Sequence, residues 1–155
     1  MRQKKKFRAI EGGPILCLKH VESTGCVWAG TDLPGKRIMV YNSKFKPVFE
    51  NGLEGHNKRV NAIIESNGLI WSCSHDKTIM IWNSEGESIR ILQGHTGPII
   101  TIVPIGTHVW SGSWDKRIIL WDAEVGSSCS RSLFGAQVVL TFLSVPVVPT
   151  ILQRI

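Results

Sequence analysis

The sequence predicts an all-β protein assembled from one four-stranded unit repeated at an interval of about 40 residues. Three observations carry this expectation. The segments VWAGTDLPGKRIMVYN (27–42), IWSCSHDKTIMIWN (70–83) and VWSGSWDKRIILWD (109–122) are versions of one text, and Trp71 and Trp110 lie 39 residues apart, as do Trp82 and Trp121. Runs such as Ile79-Met80-Ile81-Trp82 and Ile118-Ile119-Leu120-Trp121 are short, apolar and rich in β-branched residues, and are bounded by Gly, Ser, Asn and Asp. That is the pattern of strands buried on both faces. No window carries a helical hydrophobic period, and Pro34, Pro98 and Pro104 fall at turns or strand ends, where a missing N–H costs least.

The first unit, about 5–42, follows a basic tip at 1–4 and opens on a candidate outer strand at 7–10. Its Pro14-Ile-Leu-Cys-Leu matches Pro98-Ile-Ile-Thr-Ile in the third unit. Trp28 precedes Trp71 by 43 residues and Tyr41 precedes Trp82 by 41, the difference being the insertion Leu33-Pro34 inside one turn. The second unit, about 46–83, has Gly55-His56, with His56 standing 26 residues before Trp82; the third, about 87–122, has Gly94-His95, with His95 standing 26 before Trp121. In the third unit the expected strands are 87–92, 98–103, 108–113 and 117–121. Residues 123–155 read as a degenerate partial fourth unit or a divergent apolar tail: Ser130-Arg-Ser-Leu-Phe-Gly-Ala resembles Ile89-Arg-Ile-Leu-Gln-Gly-His.

A Gly-His near the front and a Trp-Asp at the back of a unit this long resembles the WD40 repeat. The resemblance spans most of 5–122. The first unit departs from it: Glu11-Gly12-Gly13 stands in place of Gly-His, Gly35 in the Asp place, and Tyr41-Asn42 in place of Trp-Asp. The resemblance implies a partial, open β-propeller of four-stranded blades, about half of a seven-bladed ring. It also implies a hydrogen-bonded set of turn His, strand hydroxyl, turn Asp and strand Trp. The matching residues are His56, Ser72, Asp76 and Trp82 in the second unit and His95, Ser111, Asp115 and Trp121 in the third, with Ser74 and Ser113 as alternative hydroxyls on the same strand face.

A His, a Ser and an Asp also invite a hydrolase reading. The hydroxyls fall in buried strands, the set occurs twice and no G-x-S-x-G elbow is present, so no catalytic residue and no enzymatic activity is expected. Cys17, Cys26, Cys73 and Cys129 lack C-x-x-C spacing, and Cys17 and Cys73 fall in strands as small apolar fillers. The five histidines have no second ligand at coordinating spacing. Neither a metal nor a cofactor is expected.

The net charge of +6 is concentrated at the N-terminus, where Arg2, Lys4, Lys5, Lys6 and Arg8 carry five positive charges; from residue 9 onward 13 basic residues face 12 acidic ones. This reads as a solvated terminus, with a nuclear import signal, an anionic-lipid contact or a nucleic-acid contact as the sharper alternatives. Aromatic and basic residues do not interleave along a groove, which argues against a specific nucleic-acid reader. From Leu133 to Leu152 no charge occurs. That length would span a bilayer, but Gln137, Pro146, Pro149 and the β-branched composition suit strand and loop better than a membrane anchor. No apolar stretch of a signal peptide follows the basic tip, so the expected compartment is the cytoplasm.

Trp114 stands in the turn just before Asp115, at the place of His75 in the second unit. In a WD40-like blade that turn projects onto the narrow top face, beside Lys58 and Arg59 of the neighbouring loop. Lys116, Lys77, Arg117, Lys36 and Arg37 come from equivalent turns. An exposed Trp among basic residues is the composition of an interface hot spot. The expected function is a non-catalytic interaction scaffold whose partner-binding residues are Lys58, Arg59, His75, Trp114 and Lys116, and whose partner is a protein or an acidic or phosphorylated peptide. The alternative is a regulatory propeller fragment of a larger signalling enzyme: a Rho-family regulator, a kinase or a phosphoinositide phosphatase. Uncovered blades at both ends of the arc also predict self-association.

Overall fold

The apolar runs become strands and the polar clusters become the turns between them. The computed structural model describes residues 13–123, with the backbone of 131–134 and 137–138. The candidate outer strand at 7–10, the basic tip and the apolar stretch from 139 onward lie outside the described residues.

Twelve strands and no helix occur among the described residues. The first sheet contains β1 (Ile15–Val21), β2 (Cys26–Thr31) and β3 (Ile38–Tyr41). The second contains β4 (Val60–Ser66), β5 (Leu69–Ser74), β6 (Thr78–Trp82) and β7 (Ser88–Gln93). The third contains β8 (Ile99–Ile105), β9 (His108–Ser113), β10 (Arg117–Asp122), β11 (Arg131–Phe134) and β12 (Gln137–Val138). Each sheet is an antiparallel meander in chain order. The first strands lie side by side, β1 against β4 and β4 against β8, so the sheets form an open propeller arc.

The registers repeat as faithfully as the sequence. Ile15 pairs with Thr31, Val60 with Ser74 and Ile99 with Ser113, and a bulge follows each of these pairs. Such a bulge bends the inner strand and increases its twist.

The repeat and the sheet are out of phase by one strand. Residues 87–92, read from sequence as the first strand of the third unit, form the outer strand of the second sheet, where Ile79 pairs with Leu92. The short turn Asn83–Glu87 folds β7 back on β6, whereas the Gly-His loop carries the chain across to the next sheet. Arg131–Phe134 repeats the arrangement on the third sheet, with Ile118 paired to Leu133. In the first sheet the outer strand is reduced to two bridges, Ile38 to Leu53 and Tyr41 to Pro47.

Each sheet packs a trailing face against the leading face of the next. At the first interface Trp28, Ile38, Val40 and Leu53 meet Val60, Ile63, Ile70, Met80 and Trp82. At the second, Trp71, Cys73, Ile79, Ile81 and Leu92 meet Ile99, Ile102, Val109, Ile119 and Trp121. Side chains this size each stabilise by about 1.5–3 kcal/mol when fully buried. Polar ties reinforce the contacts. Asn61 Nδ2 donates to the Ile99 carbonyl at 2.6 Å, and the Glu65 carboxylate accepts from the Glu22 N–H and the Ser23 hydroxyl at 3.1 Å each. Cys73 is fully enclosed, and burial pushes its thiol up to about 12, which leaves it protonated and unreactive.

Candidate functional site

The Gly-His loops and the β5–β6 and β9–β10 turns gather at one end of the sheets. Gly55 and Gly94 occupy their places because the backbone passes over a tryptophan ring. A Cβ on Gly55 would lie 2.9 Å from the Trp82 ring and 2.6 Å from Met80, and one on Gly94 would lie 3.1 Å from the Trp121 ring. The following histidine then points into the sheet.

His56 Nδ1 lies 2.9 Å from Asp76 Oδ2, His56 Nε2 lies 2.8 Å from Ser72 Oγ, and Trp82 Nε1 donates to that same oxygen at 2.8 Å. In the next sheet His95 Nδ1 lies 2.7 Å from Asp115 Oδ2 and Nε2 lies 2.8 Å from Ser111 Oγ, to which Trp121 Nε1 donates at 2.8 Å. A neutral imidazole with its proton on Nδ1 satisfies every partner: Nδ1–H donates to the carboxylate, and Nε2 accepts the serine hydroxyl. The carboxylates are saturated further. Asp76 also accepts from the Asn57 N–H, the Thr78 N–H and the Thr78 hydroxyl, and Asp115 from the Thr96 and Arg117 N–H groups. Burial pushes both carboxyls upward. The donated hydrogen bonds, led by His56 and Thr78 on Asp76 and by His95 and Thr96 on Asp115, outweigh it and hold both below the usual carboxylate range.

The order Asp–His–Ser is that of a nucleophile relay, but Ser72 is 0% and Ser111 2% exposed, and an indole N–H occupies each oxygen. A substrate carbonyl cannot reach either hydroxyl. The sets tie the crossing loops to the strands beneath. Ser74 and Ser113, the alternative hydroxyls, act elsewhere. They donate to the Lys58 and Gly97 carbonyls and accept from the Asp76 and Asp115 N–H groups. The first sheet has Ala29 at the serine position and Tyr41 at the tryptophan position. The contribution of Thr78 was not legible in the sequence. Its only signal is a hydroxyl residue two places after Asp76, which the third unit replaces with Arg117.

Above this layer, three side chains from adjacent sheets line up. Arg59 Nε donates to His75 Nδ1 at 3.2 Å, and the His75 ring meets the Trp114 ring edge to face, with centroids 5.1 Å apart. Trp114 is 63% exposed. Lys58, Lys77 and Lys116 are exposed around this line. Lys77 and Lys116 hold φ of 75° and 67°, a left-handed conformation that costs a residue with a Cβ roughly 1 kcal/mol. Arg37 lies to one side, donating to Asp32 Oδ1 at 2.8 Å and to the Asn57 carbonyl at 3.4 Å. The structure thus brings Arg59, His75 and Trp114 into direct contact, and sets Lys58 and Lys116 at the rim, outside that contact. The His75–Trp114 contact is invisible in the sequence, because the residues are 39 positions apart and meet only when the sheets pack.

A family model described as WD domain, G-beta repeat matches residues 45–83 and 86–122. No curated protein matches the sequence. Among solved structures, "Structure of U3-55K" is similar with a TM-score of 0.69 and 18% identity, covering 84% of this chain and 42% of that one. "Crystal structure of RRP9 WD40 repeats" is similar with a TM-score of 0.70 and 18% identity, covering 84% and 41%. The computationally designed Ika4 protein is similar with a TM-score of 0.67 and 22% identity, covering 82% and 77%. The chain spans less than half the length of the first two, and at these identities the likeness is one of fold.

Proposed function

Because the chain belongs to the WD40-repeat family, whose members generally serve as protein-interaction scaffolds, we propose that it docks an acidic or phosphorylated peptide across the turn-bearing end of its second and third sheets. The observation that carries this reading is the line Arg59–His75–Trp114, which bridges two sheets and ends on an exposed indole. Trp offers a large contact area at low conformational cost, and Arg forks a carboxylate or phosphate. The lysines around them supply the field that would draw an anion. Two of them sit in strained backbone, and strain of this kind gathers at ligand clamps.

The test is peptide-array and pull-down binding compared among wild type, Trp114→Ala and a control at the opposite end, Lys44→Ala. Trp114→Ala is expected to weaken partner binding by about 2 kcal/mol, roughly thirty-fold, with stability nearly unchanged. Arg59→Glu is expected to weaken it further and to flatten its salt dependence. Retention of every partner by Trp114→Ala, with loss on Lys44→Ala, would sink the proposal.

A further inference from the structure

Backbone bonds at the turn-bearing end repeat from sheet to sheet while the side chains on them change. The Asp32 N–H donates to the Pro14 carbonyl at 3.2 Å, the His75 N–H to the Arg59 carbonyl at 3.0 Å and the Trp114 N–H to the Pro98 carbonyl at 3.0 Å. One residue earlier, the Ser74 hydroxyl donates to the Lys58 carbonyl as the Ser113 hydroxyl does to that of Gly97. Lys58-Arg59 therefore stands where the third unit has Gly97-Pro98, and Arg59 where the first has Pro14. The same carbonyls serve the fold whichever side chains are present, so the fold does not account for the basic pair.

What the pair adds is a group of hydrogen-bond donors beside carboxylates that are already engaged. Arg59 gives its Nε–H to His75 Nδ1, which leaves the two terminal guanidinium nitrogens without a partner among the described residues. Because His75 Nδ1 accepts, the neutral ring carries its proton on Nε2, a further donor. The exposed Lys58, Lys77 and Lys116 stand around them. Asp76 is taken up by His56, Asn57 and Thr78, and Asp115 by His95, Thr96 and Arg117. A carboxylate ligand has two oxygens and one charge, and the Arg59 fork alone satisfies it. A phosphate monoester has three acceptor oxygens and a charge of about −1.5 to −2 at pH 7, which suits the Arg59 fork, the His75 Nε2–H and the lysine field together. From this we infer that the seam between the second and third sheets is a phosphate seat that selects a phosphoserine or phosphothreonine peptide over an acidic one. Arg59 is its specificity-determining residue, and Trp114 holds an apolar neighbour of the phosphorylated position. The inference rests on the docking reading above and narrows it. The corresponding seam between the first and second sheets has Pro14 in place of the arginine, and Asp32, paired with Arg37, in place of His75. It lacks the fork and carries a charge that repels the same ligand.

The experiment titrates the full chain with three degenerate peptide libraries that share their flanking positions and carry phosphoserine, glutamate or serine at the centre. Wild type is expected to bind the phosphoserine library about tenfold more tightly than the glutamate library. The serine library is expected not to bind. Arg59→Pro, which gives the second loop the residue of the other two, is expected to keep the thermal unfolding midpoint and lose the preference. Arg59→Ala, free of any effect of the proline ring, is expected to lose it too. Trp114→Ala is expected to weaken the phosphoserine and glutamate libraries alike, keeping their ratio. Lys36→Ala, in the corresponding turn of the first sheet, is expected to change neither. Phenyl phosphate is expected to shift the NMR signals of the His75 ring and the Trp114 indole more than phenylacetate does. Equal binding of phosphoserine and glutamate would overturn the phosphate seat and leave the acidic-peptide reading standing, whereas binding untouched by Trp114→Ala would overturn both. A preference that survives both Arg59 variants, one that Lys36→Ala removes, or a His75 signal that phenyl phosphate leaves in place would overturn the assignment. So would binding to phosphatidylcholine vesicles containing a phosphatidylinositol phosphate without binding to any library, which indicates a membrane ligand.

Discussion

His75 and Trp114 occupy the same position in consecutive repeats, and their rings meet edge to face at 5.1 Å across two sheets. Arg59 completes the contact from below by donating to His75 Nδ1, which requires that nitrogen to be unprotonated. Burial, followed by the positive charges of Arg59 and Lys58, lowers the His75 pKa from its ordinary 6.5. The folded state therefore favours neutral His75. The associated stability is complete above pH about 6.5 and is lost as pH falls through the lower folded value. An NMR titration of the His75 ring is expected to show a midpoint below 6.5, moving upward in Arg59→Ala. A midpoint at or above 6.5 would contradict the hydrogen bond as drawn.

His95, Asp115 and Trp121 are expected to behave as one unit through Ser111. Asp115→Ala leaves His95 Nδ1 and two backbone N–H groups without their acceptor, and should destabilise by roughly 2–4 kcal/mol in denaturant unfolding. His95→Ala and the double variant close the cycle. A double loss well below the sum of the singles is expected, whereas additive losses would show that the bonds act independently.

Acid should attack the same groups. Asp76 and Asp115 have folded pKa values below the ordinary 3.8. Their contribution is therefore complete above pH about 4 and disappears as pH falls below it, through the folded values. Stability measured from pH 5 to pH 2 is expected to fall steeply in wild type and less steeply in Asp115→Asn, which starts lower and no longer titrates there. Parallel curves would show that other carboxylates govern the loss.

Lys116 separates strain from binding. Glycine adopts its left-handed backbone freely, so Lys116→Gly is expected to hold stability within about 0.5 kcal/mol of wild type, relief of strain offsetting the extra freedom of the unfolded chain. Affinity for an acidic peptide is expected to fall by severalfold at low salt. A clear loss of stability, measured by thermal unfolding, would mean that the Lys116 side chain is part of the fold's support.

Strand existence and position were legible because short apolar runs between turn residues leave few alternatives. The expected strand at 108–113 matches β9 at both ends. Sheet membership was not legible. A repeat states its period and not its phase, and only the short Asn83–Glu87 turn decides that β7 folds back on β6 rather than opening the next sheet. The network residues could be read because His, Ser, Asp and Trp recur in register. Ser72 stands ahead of Ser74 only on the resemblance, since both hydroxyls face the same side of β5 and both are fully buried; the partners decide, Ser72 meeting His56 and Trp82 and Ser74 meeting the Lys58 carbonyl. Thr78 and the contact of His75 with Trp114 depend on packing between elements, for which a single copy of the sequence holds no pattern.

The one-strand offset between repeat and sheet has a consequence for how such a chain tolerates gene rearrangement. If modules and sheets coincided, a break at the boundary between two units would leave every sheet whole. Here the third unit lends its first strand, β7, to the sheet before it. Excising one whole period, at any phase, lets the corresponding strand of the following unit take the vacated outer place. Duplicating a period adds a strand and its acceptor together. A cut that removes part of a period has no such replacement: severing the chain at the seam between residues 83 and 87, where the repeat looks separable, would strip the outer strand from a sheet whose other three strands remain.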